Sequence, residues 1–433
     1  MTEKLLRFQG PLSALSAEGR RLLLDRTTSS DEKVRRRTEE IIARVKKDGD
    51  AALVQMAAEF DKATLSALEV PRARWQEALA TLPPPLRASL ERAARNIAKA
   101  HEAFLPKPME VETEPGVYVG RRPDPLSRVG VYAPGGRAAY PSSVLMGAVP
   151  ARVAGVSEVI LCSPPSPSGL PTPVVLAAAE LAKVDRVFAV GGAGAIAAMA
   201  YGTSSVPRVD RIVGPGNAYV AEAKTQVTGA VAVDSPAGPS ELLALVDASA
   251  DAAAVAREML AQAEHDPRAC VVTLALDEAT ATRIEKALHE AVAQAPRREI
   301  ITESLSALGA LFHVASLEEA IDFSNYFAGE HTLLAVKDPK ALLARLRNQG
   351  TVFLGETSSV AFGDYMTGSN HVLPTGGLAR SYSGLSVLDF MRWTSYQRVE
   401  RAAAARLADD VGVLADSEGL HAHAAAARAW KER

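Results

Sequence analysis

Two short stretches of the sequence combine side chains that can bind a metal ion or transfer a proton. In LAQAEHDPR, Gln262 and His265 lie three residues apart in a helical pattern, so their side chains share one face, while Glu264 points to another face. In GEHT, Glu330 and His331 are adjacent. Imidazole is a common metal ligand and titrates near neutral pH. The first stretch suggests a metal site, although a helical histidine is more often a surface residue, and the second suggests an acid/base pair.

Further candidate ligands lie in a long loop and in the C-terminal tail. Asp364 and His371 belong to GDYMTGSNHVLPTGG, where either can bind a metal and His371 can instead bond to the backbone. His421 and His423 lie two residues apart, so on a helix they face apart and at most one should be a ligand.

Glycine-rich turns follow several predicted strands. Residues 192–197 (GAGAIA) match the G-x-G-x-x-A pattern of dinucleotide-binding proteins, with Asp210 near the expected place of a ribose-binding acid, although small residues at such a turn often serve packing alone. Residues 214–217 (GPGN) and 132–136 (YAPGG) either let a ligand approach the backbone or form ordinary turns. Ser240, in the junction DSPAGPSE, either contacts a ligand or caps a turn.

The spacing of apolar residues predicts the elements that position these groups. Residues 1–25 are predicted to form a small helical extension, an arm without a core of its own. Ser29 and Glu32 fit a capping box that opens a helix, and Gly49 ends that helix. Helical segments then continue to residue 101. From residue 128 onward, short apolar runs alternate with helical stretches, which is typical of parallel sheets with helices on both faces.

This β-α rhythm occurs twice, so we expect an α/β protein with two incomplete Rossmann-like domains. Residues 128–239 form the nucleotide-binding domain, and residues 26–127 with 240–385 form the domain that carries the metal and acid/base residues. Residues 356–385 are nearly free of pattern, and a loop of this length is usually functional. Residues 386–433 are predicted to form a helical tail, broken near Asp410 and Gly419, that packs on a second subunit.

Composition limits the class of protein. The chain has 433 residues and a net charge of −3, with no block of basic residues, so nucleic-acid binding has no electrostatic support. The N-terminus is too polar for a signal peptide, and no apolar run approaches the length of a membrane span. We therefore expect a cytoplasmic protein. Its two cysteines, Cys162 and Cys270, each border an apolar run and are predicted to be buried packing thiols.

Taken together, these stretches resemble the histidinol dehydrogenase family, whose members are zinc enzymes of histidine biosynthesis. The segments that carry the resemblance occur in order and cover nearly the whole chain. They are VGVYAPGG, VGGAGAIAAMAYGT, DRIVGPGNAYVAEAK, DSPAGPSE, LLAQAEHDP, GEHTL, GDYMTGSNHVLPTGGLAR, SGLSVLDF and SEGLHAHA. The long segments around GPGNAYVAEAK and NHVLPTGG are unlike generic turns, so the resemblance is specific.

The resemblance implies a role for each matching residue. One zinc ion per subunit would be held by Gln262, His265, Asp364 and His423, with Glu330 and His331 as the acid/base pair. The same six residues, with Ser240 and Glu418, match substrate-contacting positions. The positions that match nucleotide contacts are Tyr132, Gly194 and Asn217; Gly194 stands where family members often carry Gln. An intertwined homodimer is implied, with Glu418 and His423 reaching the partner's site.

The implied reaction is the four-electron oxidation of L-histidinol to L-histidine through an aldehyde, with two NAD molecules reduced in turn. His331 would take the hydroxyl proton, and Glu330 would activate the water that adds to the aldehyde. Zinc would chiefly orient the substrate. Two alternatives remain: a related zinc- and NAD-dependent dehydrogenase of another polar alcohol, such as a sulfonated diol, and a metal-dependent binding protein without activity.

Overall fold

The computed structural model describes residues 5–26, 31–135, 139–236 and 238–431. Its strands, in chain order, are β1 (Phe8–Pro11), β2 (Met109–Glu114), β3 (Val117–Pro125), β4 (Arg128–Tyr132), β5 (Glu158–Ser163), β6 (Arg186–Ala189), β7 (Arg211–Val213), β8 (Ala232–Val233), β9 (Glu241–Val246), β10 (Cys270–Ala275), β11 (Gly309–His313), β12 (His331–Ala335), β13 (Thr351–Leu354) and β14 (Met391–Val399).

The α-helices of the described residues alternate with these strands over much of the chain. In chain order they are α1 (Ala17–Leu24), α2 (Glu32–Asp48), α3 (Asp50–Met56), α4 (Arg72–Thr81), α5 (Pro84–Ala103), α6 (Pro141–Ala154), α7 (Pro173–Leu181), α8 (Gly192–Tyr201), α9 (Ala218–Val227), α10 (Ala252–Ala263), α11 (Glu278–Gln294), α12 (Arg298–Leu308), α13 (Leu317–Phe327), α14 (Pro339–Leu343), α15 (Val360–Tyr365), α16 (Arg401–Ser417) and α17 (His421–Arg428).

The first sheet has the strand order β1-β11-β10-β9-β12-β13, and all its pairs are parallel. Every residue of β9, β10 and β12 is buried. Continuous apolar strands of this kind are buried on both faces by helices, as the sequence predicts. Because the pairs are parallel, the amino ends of these strands share one edge, and His331 is in register with Leu242 there.

The second sheet has the order β6-β5-β4-β7-β8 and is also parallel. Small residues of α8 pack against it: from Ala195 to Ala200 each is fully buried. The two parallel sheets confirm the predicted α/β class.

The N-terminal arm extends the first sheet instead of standing apart from it. β1 pairs in parallel with β11, and the side chains of Leu6, Leu12 and Leu23 are at most 2% exposed. The arm was expected to be a small helical extension, so its strand is a difference from the sequence analysis. The apolar side chains of the arm are therefore buried in the core of the first sheet.

Helices α2 to α5 pack on the second sheet, contrary to the predicted division into domains. Ile41, Leu53, Trp75 and Ile97 belong to one buried cluster with the second sheet and its helices. The grouping of residues 26–127 with 240–385 is therefore wrong for these helices, because their apolar faces are covered elsewhere. Asp31 caps α2 by accepting from the backbone amides of its first turn; the predicted cap Ser29 lies outside the described residues.

The tail differs from its predicted form. β14 is a strand in place of the expected first helical segment, and it pairs antiparallel with β3, which also pairs with β2. Aromatic and β-branched residues such as Trp393 and Tyr396 suit such a strand. α16 runs without a break through Asp410, whereas Gly419, with φ of 73°, ends it as expected.

The tail leaves large apolar side chains in contact with solvent. Val413 and Leu414 of α16 are 63% and 68% exposed, and Trp430 is 46% exposed. Large exposed apolar groups on neighbouring turns are typical of a surface that another chain covers. Among the described helices, none has both the length and the apolar character that crossing a bilayer requires.

Candidate functional site

His331 is the centre of a group of polar side chains at the amino edge of the first sheet. It is the first residue of β12 and is only 4% exposed. Its Nε2 lies 3.2 Å from Asp364 Oδ1, and its Nδ1 lies 3.4 Å from Gln262 Nε2. Asp364 belongs to α15 and Gln262 to α10. Three predicted site residues from separate helices and a strand are therefore brought together.

The orientation of the His331 ring is fixed by its other nitrogen. Nδ1 lies 3.1 Å from the backbone oxygen of Glu241 and 3.3 Å from Glu330 Oε2. A carbonyl oxygen can only accept, so Nδ1–H is the donor and the lone pair of a neutral ring is on Nε2. Burial alone would lower the pKa of His331, but the negative charge of Glu330 and the hydrogen bond to Asp364 outweigh it and raise that pKa well above 6.5. Glu330 and Asp364 therefore stabilise a proton on the His331 ring.

The predicted metal ligands of a single protomer supply suitable donor atoms. Gln262 Oε1 is buried and has no hydrogen-bond partner in the described part of the chain. A buried amide oxygen without a partner costs free energy, unless a bound ligand supplies the missing contact. Burial would raise the pKa of Asp364, but the hydrogen bond and charge of His331 and the nearby His371 and His265 imidazoles lower it. The His265 side chain is exposed, with no hydrogen bond to its ring. Two oxygens and an imidazole nitrogen fit a zinc ion.

The two predicted site residues of the tail lie elsewhere on the protomer. Glu418 and His423 are exposed, and the described residues contain no group of three or more His, Cys, Asp or Glu side chains placed to hold a metal. His423 therefore does not join His265 and Asp364 within one chain. The neighbouring His421 Nδ1 lies 2.9 Å from Asp416 Oδ1.

Two further sequence candidates take defined places around this group. His371 Nδ1 donates to the backbone oxygen of Asp364 over 2.8 Å, the second of the two roles considered for it. Ser240 immediately precedes β9, and its partly exposed side chain makes no hydrogen bond in the described residues. Ser240 therefore lies at the same edge of the sheet as His331 with a hydroxyl available to a ligand.

The candidate nucleotide-binding residues lie at the carboxyl edge of the second sheet. Tyr132 ends β4, and its hydroxyl oxygen accepts from the Gly192 amide at 3.0 Å. Burial raises the pKa of Tyr132 to about 12, so the phenol stays neutral. Asn217 caps α9: its Oδ1 accepts from the amides of Tyr219 and Val220. The carboxyl edge of a parallel sheet is where α/β folds commonly bind nucleotides.

Gly194 and Asp210 do not fit the dinucleotide pattern. A Cβ atom at Gly194 would lie 3.2 Å from both Leu53 Cδ2 and Met56 Sδ, so a side chain there would meet α3. Asp210 Oδ2 accepts from the Arg128 amide at 2.9 Å, at the start of β4 and hence at the opposite edge from Tyr132. The interpretation of Asp210 as a ribose-binding acid is therefore wrong. The Asp210 carboxylate instead bonds to the backbone at the start of β4.

The sequence analysis missed two residues of this region, Arg26 and Glu241. Glu241 is 2% exposed, and Arg26 Nε donates to its Oε1 at 2.8 Å. A charged residue at the head of the apolar run LLALV was the available signal for Glu241. Arg26 carries no comparable signal, because nothing in the local pattern shows that its side chain is buried.

Comparison with known proteins gives consistent matches over the full chain. The family model "Histidinol dehydrogenase" matches residues 24–430. The histidinol dehydrogenase of Methanosarcina barkeri is 45% identical over 96% of both chains, and that of Nitrosomonas europaea is 45% identical over 94% of both. The crystal structure of histidinol dehydrogenase from Elizabethkingia anophelis has a TM-score of 0.94 and 33% identity, covering 100% of this chain and 99% of that one.

Proposed function

This chain belongs to the histidinol dehydrogenase family, and from that premise we propose how its site oxidises L-histidinol to L-histidine with zinc and NAD. The chain is an oxidoreductase, and the family places it in histidine biosynthesis. One observation carries the assignment of roles: the buried His331 ring, whose Nδ1 is held by Glu241 and whose Nε2 faces Asp364 beside Gln262.

His331 is the general base of each oxidation. In its neutral form, with Nδ1–H donated to the Glu241 carbonyl, the ring takes the proton of the alcohol on Nε2 as hydride leaves the carbon. NAD supplies the hydride acceptor, one molecule for each two-electron step. Glu330, beside Nδ1 of His331, takes a proton from the water that adds to the aldehyde. Ser240, at the head of β9, contacts the substrate from the same edge.

Gln262, His265 and Asp364 hold zinc, and His423 of a second chain completes the set. The unpartnered Gln262 Oε1 and the open His265 ring support this donor set. Held by these residues, zinc would orient the substrate at the site. The position of Glu418 beside His423 in the exposed tail fits a substrate contact made across the dimer.

Nucleotide binding is assigned to the turns at the carboxyl edge of the second sheet, with contacts from Tyr132 and Asn217. Gly194 can offer only its backbone to NAD, because a Cβ atom there would lie 3.2 Å from both Leu53 and Met56. Cys162 and Cys270 are buried free thiols, which fits a reducing, cytoplasmic compartment.

Substrate selectivity tests this function. Purified zinc-loaded protein is offered NAD with L-histidinol, with other amino alcohols or with a sulfonated diol. We expect turnover of histidinol at least about a hundredfold above the others in kcat/KM, because its amine and imidazole both bind the metal. Preference for a sulfonated diol would replace histidinol by the alternative substrate, which the named relatives do not favour.

A further inference from the structure

We propose that the buried Arg26–Glu241 ion pair is a positioning device that holds Glu330 and His331 in their reactive orientation. The inference rests on the proposed function for its kinetic consequence. Arg26 and Glu241 side chains are 5% and 3% exposed. The Arg26 guanidinium donates hydrogen bonds to both carboxylate oxygens of Glu241, with Nε–Oε1 at 2.8 Å and Nη2–Oε2 at 3.2 Å. Paired donors of this kind fix the orientation of a carboxylate.

The main chain of Glu241 contacts both members of the acid/base pair. Its amide donates to Glu330 Oε2 over 2.7 Å, and its carbonyl accepts from His331 Nδ1 over 3.1 Å. The first contact leaves the other Glu330 oxygen to act on water. The second fixes which imidazole nitrogen is the base. A small displacement of Glu241 would therefore misplace both groups at once.

The side chain of Glu241 also accepts hydrogen bonds from the backbone of two neighbouring segments. Oε2 accepts from the Glu330 amide at 3.4 Å, and Oε1 accepts from the Gly376 amide at 2.8 Å. Gly376 follows the NHVLPT stretch of the long loop, and in that stretch His371 bonds to the backbone of Asp364. One carboxylate thus links the catalytic strand to the loop that carries the site's aspartate.

Arg26 also contacts the chain segment that precedes Glu330. Its Nη2 donates to the Phe327 carbonyl at 2.9 Å, its guanidinium lies 3.6 Å from the centre of the Phe327 ring, and Nη1 donates to the Leu23 carbonyl. Phe327 ends α13, three residues before Glu330, and the chain turns there through Ala328 at φ 52°. The pair therefore fixes both ends of the short segment that presents Glu330.

The energetics favour a positioning role over a purely stabilising one. A buried ion pair is often no more stable than apolar residues of the same volume, because both charges lose their hydration. Here the polar atoms of the pair bond to backbone groups that position the site. The Phe327 carbonyl accepts from Arg26, and the Glu330 and Gly376 amides donate to Glu241.

The decisive variants are Arg26→Gln, the conservative Arg26→Lys, and the neutral double variant Arg26→Gln with Glu241→Gln. Leu288→Ala serves as control, since Leu288 is a fully buried core residue of α11 in the same sheet assembly and contacts no site residue named above. All four are measured as full-length, zinc-loaded protein, with kcat expressed per folded molecule and zinc content recorded.

A positioning role predicts that kcat for histidinol falls roughly ten- to a hundredfold in Arg26→Gln while KM stays within about twofold. Arg26→Lys should lie between it and the wild type. The double variant should regain thermal stability without regaining kcat, because the paired hydrogen bonds from Arg26 to Glu241 and the bond from Arg26 to Phe327 are still absent. Wild-type kcat in Arg26→Gln or in the double variant would overturn the inference.

Hydrogen exchange at the Glu330 and Gly376 amides tests the same inference without substrate. Both amides should exchange faster in Arg26→Gln than in Leu288→Ala at matched stability, since Glu241 protects them directly. If the wild type fails to turn over histidinol, the proposed function fails, and this measurement alone decides the positioning role: exchange no faster than in the control would overturn it.

Discussion

Nε2 of His331 lies 3.2 Å from Oδ1 of Asp364, although the two residues are 33 positions apart and belong to a strand and a helix. This contact places the proposed general base directly against a proposed metal ligand. The base and the metal set share one small volume at the amino edge of the first sheet, whereas α/β enzymes more commonly use the carboxyl edge.

Replacing His331 by Asn should lower kcat by roughly two to four orders of magnitude, because an amide cannot take the hydroxyl proton. Zinc content, measured by atomic emission on the purified variant, should stay at the wild-type level because His331 is not a ligand. Steady-state rates with saturating histidinol and NAD provide the comparison. Unimpaired turnover would rule out His331 as the base.

Zinc binding should depend on Gln262 and His265 but not on Glu264, which lies between them in the sequence. Gln262→Ala and His265→Ala should weaken zinc binding by about a hundredfold or more, beyond the effect usual for outer partners of a ligand. Glu264→Gln is the matched control, since Glu264 adjoins His265 but is not among the proposed ligands. Competition with a chromogenic chelator measures the affinities. Equal loss in Glu264→Gln would contradict the donor set.

The histidinol-oxidising activity of the unaltered protein should also depend on bound zinc. Prolonged chelation should abolish histidinol oxidation, and added zinc should restore it, because substrate orientation depends on the ion. Restoration is measured against a mock-treated sample. A protein whose rate is indifferent to the chelator, with its metal shown to be removed, would take zinc out of the proposed reaction.

His101 should make folding stability depend on pH below neutrality. Its ring is 2% exposed, and its Nδ1 accepts from the Val387 amide at 3.2 Å, which requires a deprotonated nitrogen. Burial lowers the pKa of His101 to about 4. Because the folded-state pKa lies below the unfolded value of 6.5, stability is full above pH 6.5 and is lost as pH falls toward 4. Between pH 7 and pH 5 the loss should be about 2 kcal/mol.

Urea unfolding at the two pH values measures this loss. His101→Gln can still accept from Val387 but does not titrate, so its stability difference between pH 7 and pH 5 should be smaller than that of the wild type by about 2 kcal/mol. The same pH dependence in both proteins would show that other groups cause it.

Subunit mixing should reveal whether the tail completes the site of a second chain. His331→Asn and His423→Ala are each expected to be inactive alone. A mixed dimer contains one site with an intact His331 from one chain and an intact His423 from the other. After unfolding and refolding an equal mixture, about a quarter of wild-type activity should return. A mixture that stays inactive, with mixed dimers shown to be present, would place His423 in its own chain's site.

The sequence predicts the parts of this protein that depend on local pattern. The continuous apolar strands and the α/β alternation follow from periodicity, and the structure shows both. The helix that carries Gln262 ends at Ala263, so His265 lies beyond the helix on which a shared face was predicted. The positions of Asp364 and His331 relative to one another depend on long-range packing, so the resemblance, and not the spacing, connected them.

The errors have physical causes of the same kind. Asp210 has the right spacing for a ribose-binding acid but lies at the wrong edge of its sheet, since it bonds to the start of β4. The strand around Trp393 was missed because it pairs with β3, more than 260 residues earlier in the chain. Arg26 and Glu241 act through bonds between distant segments, which no local pattern records.

The stoichiometry of the reaction tests the central claim most directly. Purified zinc-loaded protein is incubated with excess NAD and a limiting amount of L-histidinol, NADH is measured by absorbance, and histidine by chromatography. A four-electron oxidation predicts about two NADH per histidine formed, with no aldehyde accumulating, because one site holds both steps. A ratio of one with released aldehyde, or no turnover of histidinol at all, would contradict the account.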